Sequence, residues 1–235
     1  MSINQERVND KTNLGYQREK HAAFTHDQAK NYQETRFSPR RGNKDTDRKE
    51  KEIVLQAFEQ IGKQRSILDV PCGAGRFLET LKLFSSRLIE LDLSFGMVHF
   101  NEEQYRKSHG DANSDNTSFL IGDAEWLPIH NDSVDAIFCM RLFHHLDSSN
   151  LRVSILSELA RVTSQWAIVS FYHYYCFKHF KKILRNKTHR GVYLPFRTFK
   201  DEVEKSGLQI VHTYAVSRFI NPQWVVVLKK SKPKR

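Results

Sequence analysis

Residues 67–77, ILDVPCGAGRF, constrain this chain more than any other stretch, because an apolar run ends in an acid and turns at once through Gly73-x-Gly75 into a helix. Ile67, Leu68 and Val70 are apolar and partly β-branched, the composition of a strand buried on both faces of a parallel sheet. The two glycines let the backbone turn tightly and approach a ligand with no Cβ in the way. Asp69 and the unpaired amides of the helix that begins near Gly75 would face that ligand. The turn predicts an α/β fold whose ligand sits at the carboxyl ends of the strands.

Two ligand classes use such a turn. A dinucleotide site asks for a small residue three positions past the second glycine, so that helix and strand pack closely beneath a pyrophosphate. That position is Leu78. A carboxylate at Asp69 would also repel two phosphates, whereas it suits a cationic ligand that carries an amine. S-adenosylmethionine, with its α-amino group and sulfonium, is such a ligand. Here the chain resembles the class I S-adenosylmethionine-dependent methyltransferases of the type 11-like group, whose first motif reads much like LDVPCGAGR. The resemblance implies S-adenosylmethionine as cofactor, with Asp69, Gly73 and Gly75 around it.

Further motifs follow at the spacing such a fold demands. The run RLIELD ends in Asp92, 17 positions after Gly75, close to where an acid grips a ribose diol in this architecture. A carboxylate accepts from both hydroxyls at once. The competing role for Asp92 is a helix N-cap, for which Ser94 is the alternative. The segment FLIGDAEWLP, residues 119–128, resembles the family's Gly-Asp-Ala element, which implies that Asp123 accepts from the adenine amino group while the Ala124 amide reaches a ring nitrogen. Asp135, in the turn before the fourth strand, reads as structural. The resemblance covers about residues 50–230.

The 235 residues, 39% of them hydrophobic, suffice for one α/β domain with decorations. No run approaches the roughly 18 apolar residues of a membrane span, and the first residues, MSINQER, lack the apolar core of a secretion signal, so a cytoplasmic protein is expected. Cys72, Cys139 and Cys176 form neither a close pair nor a metal-ligand spacing, so reduced thiols are expected and no structural metal is implied. The net charge of +10 is concentrated in the acid-free stretch Lys178–Arg190 and in the tail that ends at Arg235. The tail, 231–235, reads as a solvated end.

Residues 1–46 are polar, with scattered aromatics at Tyr16, Phe24, Tyr32 and Phe37, and read either as disordered or as a lid over the cofactor. The catalytic domain is expected over 47–230, with a basic and aromatic insertion at 172–195. A helix from Asp47 presents Ile53, Val54, Ala57, Phe58 and Ile61 on one face. The remaining elements alternate: helix 77–84, strand 87–92, helix 94–107, a polar loop 108–116 before a third strand that leaves through Gly122, a turn and a fourth strand within 131–139, helix 150–162, strand 166–171, helix 196–206, and closing strands 208–216 and 224–228. The resemblance implies a Rossmann-like seven-stranded sheet in the order 3-2-1-4-5-7-6, with the last strand antiparallel and helices on both faces.

Methyl transfer from a sulfonium is an in-line displacement, which needs the nucleophile held at about 3–3.5 Å and water kept out. A base, where one is used, belongs just past strand four. That place holds MRLFHHL, residues 140–146, and the His-His-Leu resembles members acting on small molecules or lipids, which makes His144 and His145 the catalytic candidates. Two adjacent histidines cannot both face a substrate. Arg141, Tyr172 and His173 are the candidate acceptor-side residues, the latter two from the aromatic run after strand five. In KHFKKILR, residues 178–185, the apolar positions share one helical face and cations the other, the pattern of a surface that meets an anionic membrane or an RNA backbone. The expected function is methyl transfer to a small-molecule or lipid-type acceptor, with an RNA methyltransferase and an inactive cofactor-binding relic as alternatives. Against a base methylase, CMRL after strand four is not the Asn-Pro-Pro-Tyr type of motif.

Overall fold

The structure is a computed structural model that describes residues 22–36, 44–110, 116–176, 191–217 and 221–231. Helix α1 (His26–Arg36) and helix α2 (Lys44–Ile61) precede β1 (Gln64–Asp69), α3 (Leu78–Lys82), β2 (Ser85–Asp92), α4 (Phe95–His109) and β3 (Thr117–Ile121). Then come β4 (Val134–Cys139), a 3-10 turn at Phe143–His145, α5 (Ser149–Val162), β5 (Thr163–Tyr172), α6 (Phe196–Lys205), β6 (Leu208–Ser217) and β7 (Asn221–Lys230).

The seven strands form one sheet in the order β3-β2-β1-β4-β5-β7-β6, as expected. Strands one to five are mutually parallel, and β7 runs antiparallel between β5 and β6. Every residue of β4 is buried, because helices cover both faces of the central strands. On one face Leu68, Ile137, Val169 and Val226 pack against the inward stripe of α5 (Leu151, Ile155, Leu156, Leu159) and against Phe199 of α6. On the other, Ile67, Phe138 and Val225 meet Ile53, Val54, Ala57 and Phe58 of α2. Removing such a side chain from water is worth about 1.5–3 kcal/mol, so two apolar layers fix the sheet between the helices.

Helix α3 is shorter than the expected 77–84. Its first residues are occupied by the turns that carry the glycines, and the 78–82 segment is all that keeps helical pairing. Helix α1 lies against α4, with Ala29 buried among Ala74, Met97 and Phe100. The basic stretch 178–190 falls outside the described residues. Among the described residues no helix is long and apolar enough to cross a membrane.

Candidate functional site at the carboxyl edge of the sheet

The chain leaves β1 through a cis Val70–Pro71 peptide and turns at Gly73 (φ 55°) and Gly75 (φ 76°). Positive φ at both positions explains the glycines, and at Gly75 a Cβ would also stand 1.9 Å from Asn101 Oδ1. The turn is held from β2: Asp92 Oδ2 accepts the Gly73 amide and Asp92 Oδ1 the Ser94 amide, both at 2.9 Å. The cap of α4 is Ser94, whose Oγ accepts from the Met97 amide at 3.2 Å. Asp92 therefore ties two loops together at the sheet edge.

Beside it, Asp69 is buried at the end of β1, and its register partner on β2 is Glu90, which is fully buried. Burial first, then the charges of Glu90 and Asp92, push the Asp69 carboxyl well above its ordinary range. Burial likewise raises Glu90, to about 8, against the help of the Asn101 amide, whose Nδ2 donates to Glu90 Oε2 at 2.7 Å. Glu90 Oε1 has no hydrogen-bond partner among the described residues. Burial and the three acids also push the Cys72 thiol up, leaving it a neutral thiol.

This set fits S-adenosylmethionine. Carboxylates accept only, so they match an ammonium and a ribose diol. An ammonium would also relieve the repulsion between Asp69 and Glu90 and serve the unpaired Glu90 oxygen. The neighbouring turn after β3 carries Asp123, whose Oδ1 accepts from the Glu125 amide at 2.9 Å, and the half-buried Ala124. Gly122 donates its amide to Asp92 O at 3.0 Å, which links this turn to the end of β2. Phe95, Ile121 and Trp126, large apolar side chains on these same loops and strand ends, are exposed.

Past β4 the second group assembles. Arg141 takes φ 64° and donates its amide to Ser170 Oγ at 2.8 Å. Its guanidinium donates to Glu50 Oε1 at 3.2 Å. Burial works against the Arg141 charge, but Glu50, with Tyr172 and Tyr32, more than offsets it. The fully buried Glu50 also pairs with Arg76, from the glycine loop, at 2.5 Å, and Arg76 reaches Asp47 at 2.6 Å. His144 is buried and stacks on Tyr172, centroids 4.1 Å apart and planes 14° apart, while its carbonyl accepts from the Val192 amide at 2.8 Å. His145 is exposed.

Of the residues expected from sequence, Asp69, Gly73, Gly75 and Asp92 converge, with Asp123 and Ala124 on the adjoining turn; Arg141, His144 and Tyr172 form a neighbouring group. His173 does not join it: strand alternation turns its ring onto Trp224, 4.4 Å away, where burial lowers its pKa. Asp135 stays structural, accepting from the Arg65 amide at 2.9 Å and pairing with the Arg65 guanidinium. Glu90, Glu50 and Arg76 were not foreseen. An acid inside the apolar run of strand two was the visible signal for Glu90; for Glu50 and Arg76, 26 positions apart in the sequence, no local signal existed.

Residues 68–171 match a family model described as a methyltransferase domain. Over 122 residues the chain is 32% identical to the malonyl-[acyl-carrier protein] O-methyltransferase of Yersinia pestis, covering 48% of this chain and 39% of that protein. Over 100 residues it is 32% identical to the demethylmenaquinone methyltransferase of Thermobifida fusca, covering 41% and 38%. The chain thus spans about two fifths of the length of the curated relatives it matches. In fold it is similar to the magnesium protoporphyrin IX methyltransferase of Synechocystis PCC 6803 solved with bound SAH (TM-score 0.66, 17% identity, 80% of this chain and 86% of that one). It is also similar to an S-adenosylmethionine-dependent methyltransferase of Clostridium acetobutylicum (TM-score 0.65, 13% identity, 87% and 98%). With its motifs in order, a methyltransferase-domain match over residues 68–171 and a 3-2-1-4-5-7-6 sheet, the chain is similar to the class I S-adenosylmethionine-dependent methyltransferases.

Proposed function

We propose that this chain moves a methyl group from S-adenosylmethionine to a small-molecule or lipid-type acceptor. The observation that carries the reading is the convergence of Asp69, Glu90 and Asp92 on the glycine turn, one strand away from the Arg141–His144–Tyr172 group past β4. When bound, S-adenosylmethionine supplies an electrophilic methyl carbon on its sulfonium.

The chain's residues do the rest. Asp69 faces the amino group, Asp92 takes the ribose hydroxyls while it keeps the Gly73 turn in place, and Asp123 with the Ala124 amide reads the adenine. Phe95, Ile121 and Trp126 offer apolar surface to a flat ring. Arg141 keeps its charge beside the acceptor site and orients an anionic or carbonyl-bearing acceptor, while Tyr172 and His144 wall it. His144 takes the proton when the acceptor gives one up, a contribution of about 10²–10⁴-fold. The names of the relatives, for a malonyl-[acyl-carrier protein] and for demethylmenaquinone, support an acceptor of this type.

The test has two parts. Calorimetry of the full chain with S-adenosylmethionine must give one site, weakened by Asp92→Ala. Incubation with methyl-labelled cofactor and a cell extract, then split into lipid, RNA, protein and small-molecule fractions, must put label in the lipid or small-molecule fraction. Label in RNA with a steep salt dependence would reverse the acceptor class. Cofactor binding without label in any fraction would make the chain a binding protein.

A further inference from the structure

We propose that His26, His99 and Glu103 form a binding site for a divalent transition-metal ion of the zinc class, which fastens helix α1 to helix α4. The site borders the cofactor crevice, with Phe95 stacked on His99, and its argument does not depend on the methyltransferase reading.

Three observations carry it. First, one ligand atom from each of the three residues lies within 4.8 Å of the other two. Tetrahedral zinc with bonds near 2.0–2.1 Å needs its ligands about 3.4 Å apart, so the exposed His99 closes in by at most about 1.4 Å while the half-buried Glu103 opens from His26 by about 0.8 Å. His99 and Glu103 stand four positions apart and so share one face of α4. His26 comes from the first residue of α1, and its Nε2 already meets Glu103 Oε2 at 2.6 Å. Two imidazoles and a carboxylate with the fourth position open to solvent are a donor set that zinc takes.

Second, the donors are prepared. The Lys107 ammonium lies 2.6 Å from Glu103 Oε1, which leaves the other carboxylate oxygen, Oε2, on the side of His26. The rings of Phe95 and Phe100 flank His99 and His26, with centroids 5.6 and 5.3 Å away. The Asp27 carboxylate lies 4.0 Å from His26 Nδ1, the ring nitrogen left over when Nε2 binds metal.

Third, the two elements are already seated against each other. Gly96 lets the Phe24 carbonyl come so close that a Cβ there would stand 2.2 Å from that oxygen, and Ser94 Oγ donates to the same carbonyl at 3.2 Å. Ala29 rests on Ala74 of the glycine turn. An ion at the proposed site therefore closes the open flank of a contact made elsewhere by packing, and it holds α1 over the loop at Gly73–Gly75.

The experiment uses the full chain, stripped with a chelator. Zinc chloride titrated in a calorimeter should give one ion per chain, and cobalt chloride should give the visible absorption of a tetrahedral centre. His99→Ala and Glu103→Gln, both at the surface, should each weaken zinc at least about 10-fold, while His109→Ala on the same helix should not. At free zinc 100 times Kd, opening of α1 should slow about 100-fold, read by hydrogen exchange over residues 26–36. No binding by the wild-type chain, binding that survives both ligand variants, or unchanged exchange in saturating zinc would each overturn the proposal and leave the cluster a hydrogen-bonded helix contact.

Discussion

Asp69 and Glu90 are Cα partners in the β1–β2 register, so two buried carboxyls stand side by side where the central sheet meets the glycine turn. The folded chain keeps a proton on Glu90 up to about pH 8, whereas an exposed glutamate loses it near 4.5. Between those values the native state binds more protons than the unfolded one, and stability falls as pH rises. The contribution of Glu90 is present in full below about pH 4.5 and is gone above about pH 8, at about 1.4 kcal/mol per pH unit in between. Asp69, raised for the same reason, adds in the same direction. Urea unfolding between pH 5 and 8 should show this decline, and Glu90→Gln should flatten it and be the more stable protein at pH 8. Equal slopes in the two proteins would contradict it.

Cofactor binding should release protons. An ammonium placed against Asp69 favours the ionised carboxyl, so affinity for S-adenosylmethionine should rise with pH until Asp69 is ionised in the free chain as well. Calorimetry in two buffers of different ionisation enthalpy reads the release directly, and it should shrink in Glu90→Gln. Binding heats independent of the buffer would remove Asp69 from the amino-group role.

Asp92 should matter through the loops it joins. Asp92→Ala strips the Gly73 and Ser94 amides of their acceptors, at about 1–3 kcal/mol. Cofactor affinity should fall about 10–100-fold with the fold retained, as read by calorimetry alongside circular dichroism.

Glu50 is the buried counter-charge of two arginines. Glu50→Gln leaves Arg76 and Arg141 facing each other without it and should cost about 3–5 kcal/mol in urea unfolding. A loss below about 1 kcal/mol would mean that water serves both guanidinium groups.

The two histidines should separate kinetically. His144→Ala should lower kcat by about 10²–10⁴-fold, whereas His145→Ala, at an exposed position, should change it less than about tenfold. The reverse ranking would move the base by one residue.

The strands and the turn that joins Asp69, Gly73, Gly75 and Asp92 were legible because each is written locally, as an apolar run, a turn and an acid, whereas the order of the strands followed from the family resemblance. The inward face of α5 was equally plain from its periodicity: Leu151, Ile155, Leu156, Leu159 and Val162 are all buried. What local reading missed depends on pairing across the chain. Arg141 looked like an acceptor-side cation, but its neighbour Glu50 comes from a helix 91 positions earlier. His173 sits next to Tyr172 in sequence and on the other side of the strand in space. The partner of His99 and Glu103 is 73 and 77 positions away, in a segment that reads as polar with scattered aromatics and carries no metal-ligand spacing of its own. Glu90 was written in plain view, but an acid within an apolar strand draws meaning only from the carboxyl it faces.

The position of β7 has a consequence for synthesis. Because that strand is inserted between β5 and β6, both of which leave the ribosome before it, Trp166–Tyr172 and Leu208–Ser217 wait with bare backbone edges until residues 221–230 emerge. During that interval the nascent chain offers two unpaired β-edges to any other strand, and protection against self-association must come from chaperones or from speed.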